Sequence, residues 1–515
     1  NQTMTNGRYI FTAMLGVASL NAMAQCPIKD EIMGNHPVKE LNARVPDGVF
    51  SSSGTSPKTS PKGVMTGEND DVNKGQCHHC HDAHCGSQGD GNDPHNALKL
   101  RASDEEDEDF NKFRLGGYGE IVSAFKGYGL NRLATPFGNT LENRATISIP
   151  RFVLALDYKI TPKWIVGAEI EFESGGTGSA YELEFGHLER SLSKGGEVNV
   201  EQFYITRLLH PAFNLRFGQM VVPMGLSNAH NEPLNFFGTV RPEGEASIIP
   251  YIWHESGLAA YGTLGEKLGK FNYQAMVVSG LNAKGFSGNH WVHHGQQGLF
   301  EQDDFTNPAW LAHLDWVGVH GLRIGASLYH CSNTALNSFT PKEELQHTAK
   351  HPVTLWSIDA QWLGKYVEAR ADIVSGKVGN ADKFAVANEH GEATGHEPGE
   401  AAVPEFPLAK RALSYGAEVG LNLKSFFGNE NAPDVIPFVR YEYYNPMEEL
   451  AVRGEKSPLN DAFKTSMWVA GVNYRLGKDI VLKADYTHRT IAGGAYRSEN
   501  EFAIGAAFNA WFLSR

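Results

Sequence analysis

The sequence predicts an all-β fold, a 16-stranded antiparallel transmembrane β-barrel over residues 113–515, behind a low-structure N-terminal extension. Three observations predict it. Apolar and polar residues alternate with a period of two from Phe113 onward, the alternating runs are mostly nine to fourteen residues long, and the connections alternate between short and long. Period two marks strands. Strands of soluble sheets average about 5–6 residues, whereas a tilted membrane-crossing strand needs about 9–11. No apolar run in the body of the chain reaches the roughly 20 residues that a transmembrane helix requires. A net charge of −14 argues against nucleic acid as a partner.

Residues 1–24 read as an export signal: Arg8 supplies the positive end, Ile10 to Leu20 the apolar core, and Ala22 and Ala24 the small-residue cleavage site. Residues 25–112 are rich in Ser, Pro, Gly, His and acidic residues and lack periodicity, as expected of an extension without a packed core. Export to an oxidising compartment bears on "QCHHCHDAHCG" (76–86). Cys77, Cys80 and Cys85, with His81, His84 and their neighbours, could supply zinc or copper ligands. Cys77, Cys80 and His81 also match the C-x-x-C-H spacing of c-type haem attachment, although little apolar sequence flanks them to bury a macrocycle. Disulfides among Cys26, Cys77, Cys80 and Cys85 are the third reading. Spacing alone leaves all three open.

Strands are expected to start near Phe113, Asn143, Lys163, Glu197, Phe213, Gly257, Lys270, Ala309, Leu322, Val353, Tyr366, Ala412, Val435, Thr465, Asp479 and Asn500. In "WIVGAEIEFE" Trp164, Val166, Ala168, Ile170 and Phe172 oppose Glu169, Glu171 and Glu173. In "YVEARADIV" Arg370 and Asp372 share the polar face, and in "IVLKADYTHR" Lys483 and Asp485 do. A barrel in hydrocarbon must close, turn its apolar face to lipid and keep charge for the lumen. These charged residues are therefore the candidate lumen wall, and their acidic excess favours cations or neutral solutes. An even strand count puts both termini, and with them the extension, in the periplasm of a Gram-negative cell envelope. Trp164, Trp316, Trp356, Trp362, Tyr443, Tyr444 and Trp511 lie near strand ends, where interfacial aromatics are expected.

At "RFGQMVVPMGLSNAHNEP" (Arg216 to Pro233) the chain resembles the phosphate-selective porin O and P family, in which such a segment leads into the third external loop. That resemblance implies a porin-like barrel assembled as a trimer, with the loop over 223–256 folded inward to narrow a pore. Glu232, Arg241, Glu243, Glu245, His254 and Glu255 would then charge the constriction. A loop packed on its neighbours is the plainer alternative. The acidic strand faces argue against phosphate as the solute. Passive diffusion of small solutes is the function this implies; an accessory barrel in a larger outer-membrane or secretion assembly, or a metal- or haem-handling protein, are the alternatives. No nucleophile–base pattern, phosphate loop or paired-carboxylate signature is specific enough to support catalysis, and His290, His293 and His294 in one loop are only a weak metal candidate.

Overall fold

Along residues 480–491 the usual order of a folded protein is inverted. Leu482 and Tyr486 are 42% and 49% exposed, whereas Lys483, Asp485 and Arg489 between them are buried. A strand with this pattern has a nonaqueous outside and an inside able to solvate charge. The computed structural model describes residues 112–514 except 129–141, 179–181, 185–186, 190–194, 266–268, 298–301, 339–348, 385–406, 428–431, 451–460, 462 and 494–496. The expected export signal and the cysteine–histidine cluster, with Cys77, Cys80, His81, His84 and Cys85, lie outside the described residues.

The strands are β1 (Phe113–Lys126), β2 (Arg144–Ser148 and Arg151–Thr161), β3 (Trp164–Gly178), β4 (Gly195–His210), β5 (Phe213–Val221), β6 (His254–Leu264), β7 (Lys270–Val278) and β8 (Ala309–Val319). They continue as β9 (Leu322–Cys331), β10 (Val353–Leu363), β11 (Val367–Val378), β12 (Ala409–Leu421), β13 (Asp434–Leu450), β14 (Thr465–Leu476), β15 (Ile480–Ile491) and β16 (Ser498–Ser514). β2 is interrupted at Pro150, which has no N–H for the ladder. Both of its halves pair with β1, so they count as one strand. Every expected start lies within three residues of an observed one.

Each strand runs antiparallel to its neighbours in sequence, and β16 closes the ring on β1 from Arg114↔Ser514 to Lys126↔Glu501. Closure removes the unpaired edges that hydrocarbon would not tolerate. The tight end carries connections such as 162–163, 211–212 and 320–321. Gly321 has φ +83, and a Cβ there would meet the Leu363 carbonyl oxygen at 2.6 Å, so this turn requires glycine.

Outward aromatics include Trp164, Trp356 and Trp362, each more than a third exposed. Tyr444 departs from the expected girdle. It shares the parity of the lumen-facing Arg440 and Glu442, and it is buried inside.

The inner face is not uniform. On β7 to β11 the ends toward the long connections are apolar, with Met276, Val278, Tyr329, Cys331, Val353, Leu355, Val374 and Val378 almost wholly buried. Residues 222–253 and 279–308 fold into this side and bring Ile248, Ile249, Trp253, Leu281 and Trp291 against it. The Trp253 and Tyr329 rings lie 4.8 Å apart, and Trp291 Nε1 donates to the Ala409 carbonyl at 2.9 Å. Asn337 Nδ2 donates to the carbonyls of Ser279, Leu281 and Asn307, which ties the β9–β10 connection to the β7–β8 connection. At about 1.5–3 kcal/mol for each large side chain fully buried, this is a substantial core built inside a barrel.

Candidate functional site

Residues 222–253 contain Pro223, Gly225, Pro233, Gly238, Pro242 and Gly244 and have no period of two or 3.6, so they form only one-turn helices at Leu226–Ala229 and Glu243–Ala246. Most of this connection is nonetheless buried inside the barrel. Its backbone groups must therefore find partners on the walls. Tyr118 of β1 donates to Asn231 Oδ1 at 3.1 Å, and Arg151 of β2 donates to the Asn231 carbonyl. Ser327 of β9 donates to the Pro223 carbonyl at 2.5 Å, and Ser357 of β10 accepts from the Gly225 N–H at 3.0 Å. Glu442 of β13 accepts from Gly244 at 2.8 Å, and Asp485 of β15 from Thr239 at 2.5 Å. Lys483 Nζ donates to three carbonyls, of Pro233, Phe236 and Gly238, at 2.5, 2.8 and 2.8 Å. The connection is a bar pinned across the lumen to strands on opposite walls.

The bar is also stitched to itself. Glu245 accepts from the N–H groups of Leu226, Ser227 and Asn228 at 2.5, 2.9 and 3.0 Å. Burial raises the Glu245 pKa, and these three donors oppose the rise. Gly225, at φ +80, permits the approach, because a Cβ there would meet the Glu245 carboxyl carbon at 2.6 Å. Burial, reinforced by Arg323, pushes His230 down to about 3, so its ring stays neutral. Ile252 sits at φ 47, costly for a β-branched residue, immediately before the buried anchor Trp253.

Of the expected constriction residues, Glu232 is buried and accepts from Asn235 Nδ2 at 2.7 Å. Glu243 meets Arg489 Nε at 3.0 Å and the Tyr444 hydroxyl at 3.2 Å. Arg241 lies over the Tyr251 ring. His254 and Glu255 belong elsewhere: the connection ends at Trp253, and both residues open β6. Glu255 accepts from Trp253 Nε1 at 2.9 Å and the Gly280 N–H at 3.1 Å, so it anchors the root of the bar within the wall.

The expected lumen residues do face inward, but most are paired. Arg370 meets Glu418 at 2.6 Å and stacks on Phe237. Arg323 bridges Asp315 and Asp359, Arg440 meets Glu442 at 2.7 Å, and Arg114 meets Asp157 at 2.8 Å. Asp372 hydrogen-bonds Glu245 of the bar. The wall is thus a mosaic of ion pairs, with acidity concentrated where Glu169 and Glu171 meet Glu201. Sequence reading missed Glu201. It is the extra residue of a β-bulge between Ile170↔Val200 and Glu169↔Gln202, which turns Glu201 and Gln202 inward together. Arg489 faces inward beside Lys483 and Asp485, as the alternation of residues 480–489 places it.

The bar divides the remaining space. On its long-connection side lies a cavity of about 520 Å³ bounded by β1, β2, β3, β15 and β16, with Glu120, Glu173, Arg241, Glu243, Arg489 and Glu501 on its wall. On the other side lie cavities of about 90 and 20 Å³, the larger lined by Glu169, Gln202, Glu232 and Asp315.

No family model matches the chain. An uncharacterised protein of Aquifex aeolicus is 25% identical over 407 residues, 78% of this chain and 79% of its own. Among solved structures, the outer-membrane channel DcaP of Acinetobacter baumannii is similar at TM-score 0.46 and 12% identity, over 77% of this chain and 97% of that one. The anion-selective porin of Comamonas acidovorans (TM-score 0.45, 10% identity) covers 77% of this chain and 99% of its own. OprB of Pseudomonas putida (0.46, 10%) covers 78% and 94%.

Proposed function

We propose that the chain is a porin-like channel of the outer membrane, through which small solutes diffuse passively along the wall formed by β1–β3, β15 and β16. The observation that carries this reading is the inversion of the barrel, apolar outside and charged inside, with a bar pinned across a lumen that keeps space on both of its sides. The long connections, including the one over 279–308, then face the exterior and the short turns the periplasm. The bar, residues 222–253, sets the size limit, and the ion-pair mosaic sets a weak charge preference that does not single out phosphate. A homotrimer is the assembly we expect, with lipid around it.

Replacing residues 226–250 by a short Gly-Ser linker should raise single-channel conductance several-fold in planar bilayers. An unchanged conductance would remove the bar from the pore. The apolar fill of the opposite half favours a second reading, a closed accessory barrel of a larger assembly. Stable co-purifying proteins with no conductance would select it. Metal capture by the cluster around Cys77, Cys80 and Cys85 is a separate proposal, tested by metal analysis and a haem stain of the purified chain.

A further inference from the structure

The charged side chains on the wall of the 520 Å³ cavity, Lys126 included, are engaged by neighbours, and Arg241 is the one left with an orphaned nitrogen among the described residues. Glu120 takes Arg151 at 3.2 Å, Glu243 and Glu501 share Arg489, and Glu173 is engaged as well. Arg241 is 6% exposed, no carboxylate among the described residues pairs with it, and its Nη2 has no acceptor. A buried guanidinium nitrogen without an acceptor is a standing cost that a ligand oxygen would relieve. The guanidinium carbon lies 3.4 Å from the centroid of the Tyr251 ring, and the Arg241 side chain also hydrogen-bonds Tyr251, so this ring holds the group in place. The orphaned Nη2 belongs to the in-plane N–H edge from which a planar carboxylate is recognised.

We propose that this cavity is a binding site for a small monocarboxylate, seated on the Arg241 fork beside Tyr251. One negative charge matches the Arg241 guanidinium, whose Nη2 has no acceptor. A phosphate dianion would bring a second charge toward Glu120, Glu173 and Glu243, and a cationic solute would meet carboxylates that already have partners. The inference rests on the channel reading, to which it adds a solute class: the site lies on the wide side of the bar, where a permeating acid would pause before the narrow part.

The test is calorimetric titration of the detergent-solubilised full chain with benzoate, with its uncharged isostere benzamide, and with inorganic phosphate. Saturable benzoate binding, no heat from benzamide, and weakening of roughly tenfold or more in Arg241→Gln are expected. Arg241→Lys keeps the charge but loses the fork, and it should also bind less tightly. Heat-modifiable gel mobility checks that each variant is a folded barrel. If Arg241→Gln does not fold, Arg241→Lys and the benzoate–benzamide contrast decide. Equal binding of benzoate and benzamide, benzoate binding untouched by either substitution, or tighter binding of phosphate would overturn the site. A barrel that binds benzoate yet does not conduct refutes the channel and keeps the site; one that conducts and ignores benzoate refutes the site alone.

Discussion

Two halves of the same lumen are built on opposite principles. On the side of β7 to β11 the upper wall is apolar and two connections fill it with Trp253, Trp291, Ile248 and Leu281, so that barrel and loops share a dry core. On the side of β1–β3, β15 and β16 the wall is charged, the side chains are paired across strands, and a 520 Å³ cavity remains. The difference teaches how a long connection can be held inside a barrel without closing it. Burial of large side chains anchors one end, and hydrogen bonds donated by Lys483 and Arg489 and accepted by Asp485 fasten the far side. The first type of attachment excludes water; the second tolerates it.

Breaking the dry half should have the larger effect. Trp253→Ala removes a fully buried indole, its tilted ring contact with Tyr329 and its bond to Glu255. A loss of about 3–5 kcal/mol is expected, which multiplies the undocked population of the bar more than a hundredfold at tenfold per 1.4 kcal/mol. Cleavage after Glu243 or Glu245 by a glutamate-specific protease in the membrane-inserted protein reads this directly: resistant in the parent, cut in the variant. Breaking the charged half should cost less. Lys483→Met leaves the Pro233, Phe236 and Gly238 carbonyls without their donor. About 2–3 kcal/mol is expected, because water in the adjoining space replaces part of what is lost. The conductance trace should become noisier while resistance to the glutamate-specific protease falls only partly. A larger effect from Lys483→Met than from Trp253→Ala would reverse the assignment of dry and wet halves.

The strands were legible because parity is a local property. In β15 Lys483, Asp485 and Arg489 point in and Leu482 and Tyr486 point out, as the alternating residues alone require. Legibility failed where parity was interrupted or where both faces were dry. The bulge at Glu201 breaks the period of two, so a third carboxylate joined Glu169 and Glu171 unannounced. In β10 Val353 and Leu355 face in while Trp356 and Ile358 face out, so that stretch carries apolar residues on both faces. That run was itself a sign that something apolar fills the lumen there. The bar's boundary was misjudged by the residues His254 and Glu255, whose polarity suggested a loop although their hydrogen bonds serve a strand. No periodicity marks residues 222–253, because their partners are scattered over β1, β2, β9, β10, β13 and β15.

The central claim is that water occupies one side of the upper lumen and is excluded from the other. Single cysteines in a cysteine-free background test it most directly: Thr146→Cys on the wall of the 520 Å³ cavity, and Ala412→Cys in the dry core. A membrane-impermeant thiol reagent added to the conducting channel should label position 146 and lower its current, and should leave position 412 unlabelled until the protein is denatured. Equal labelling of both positions in the folded channel would contradict the account.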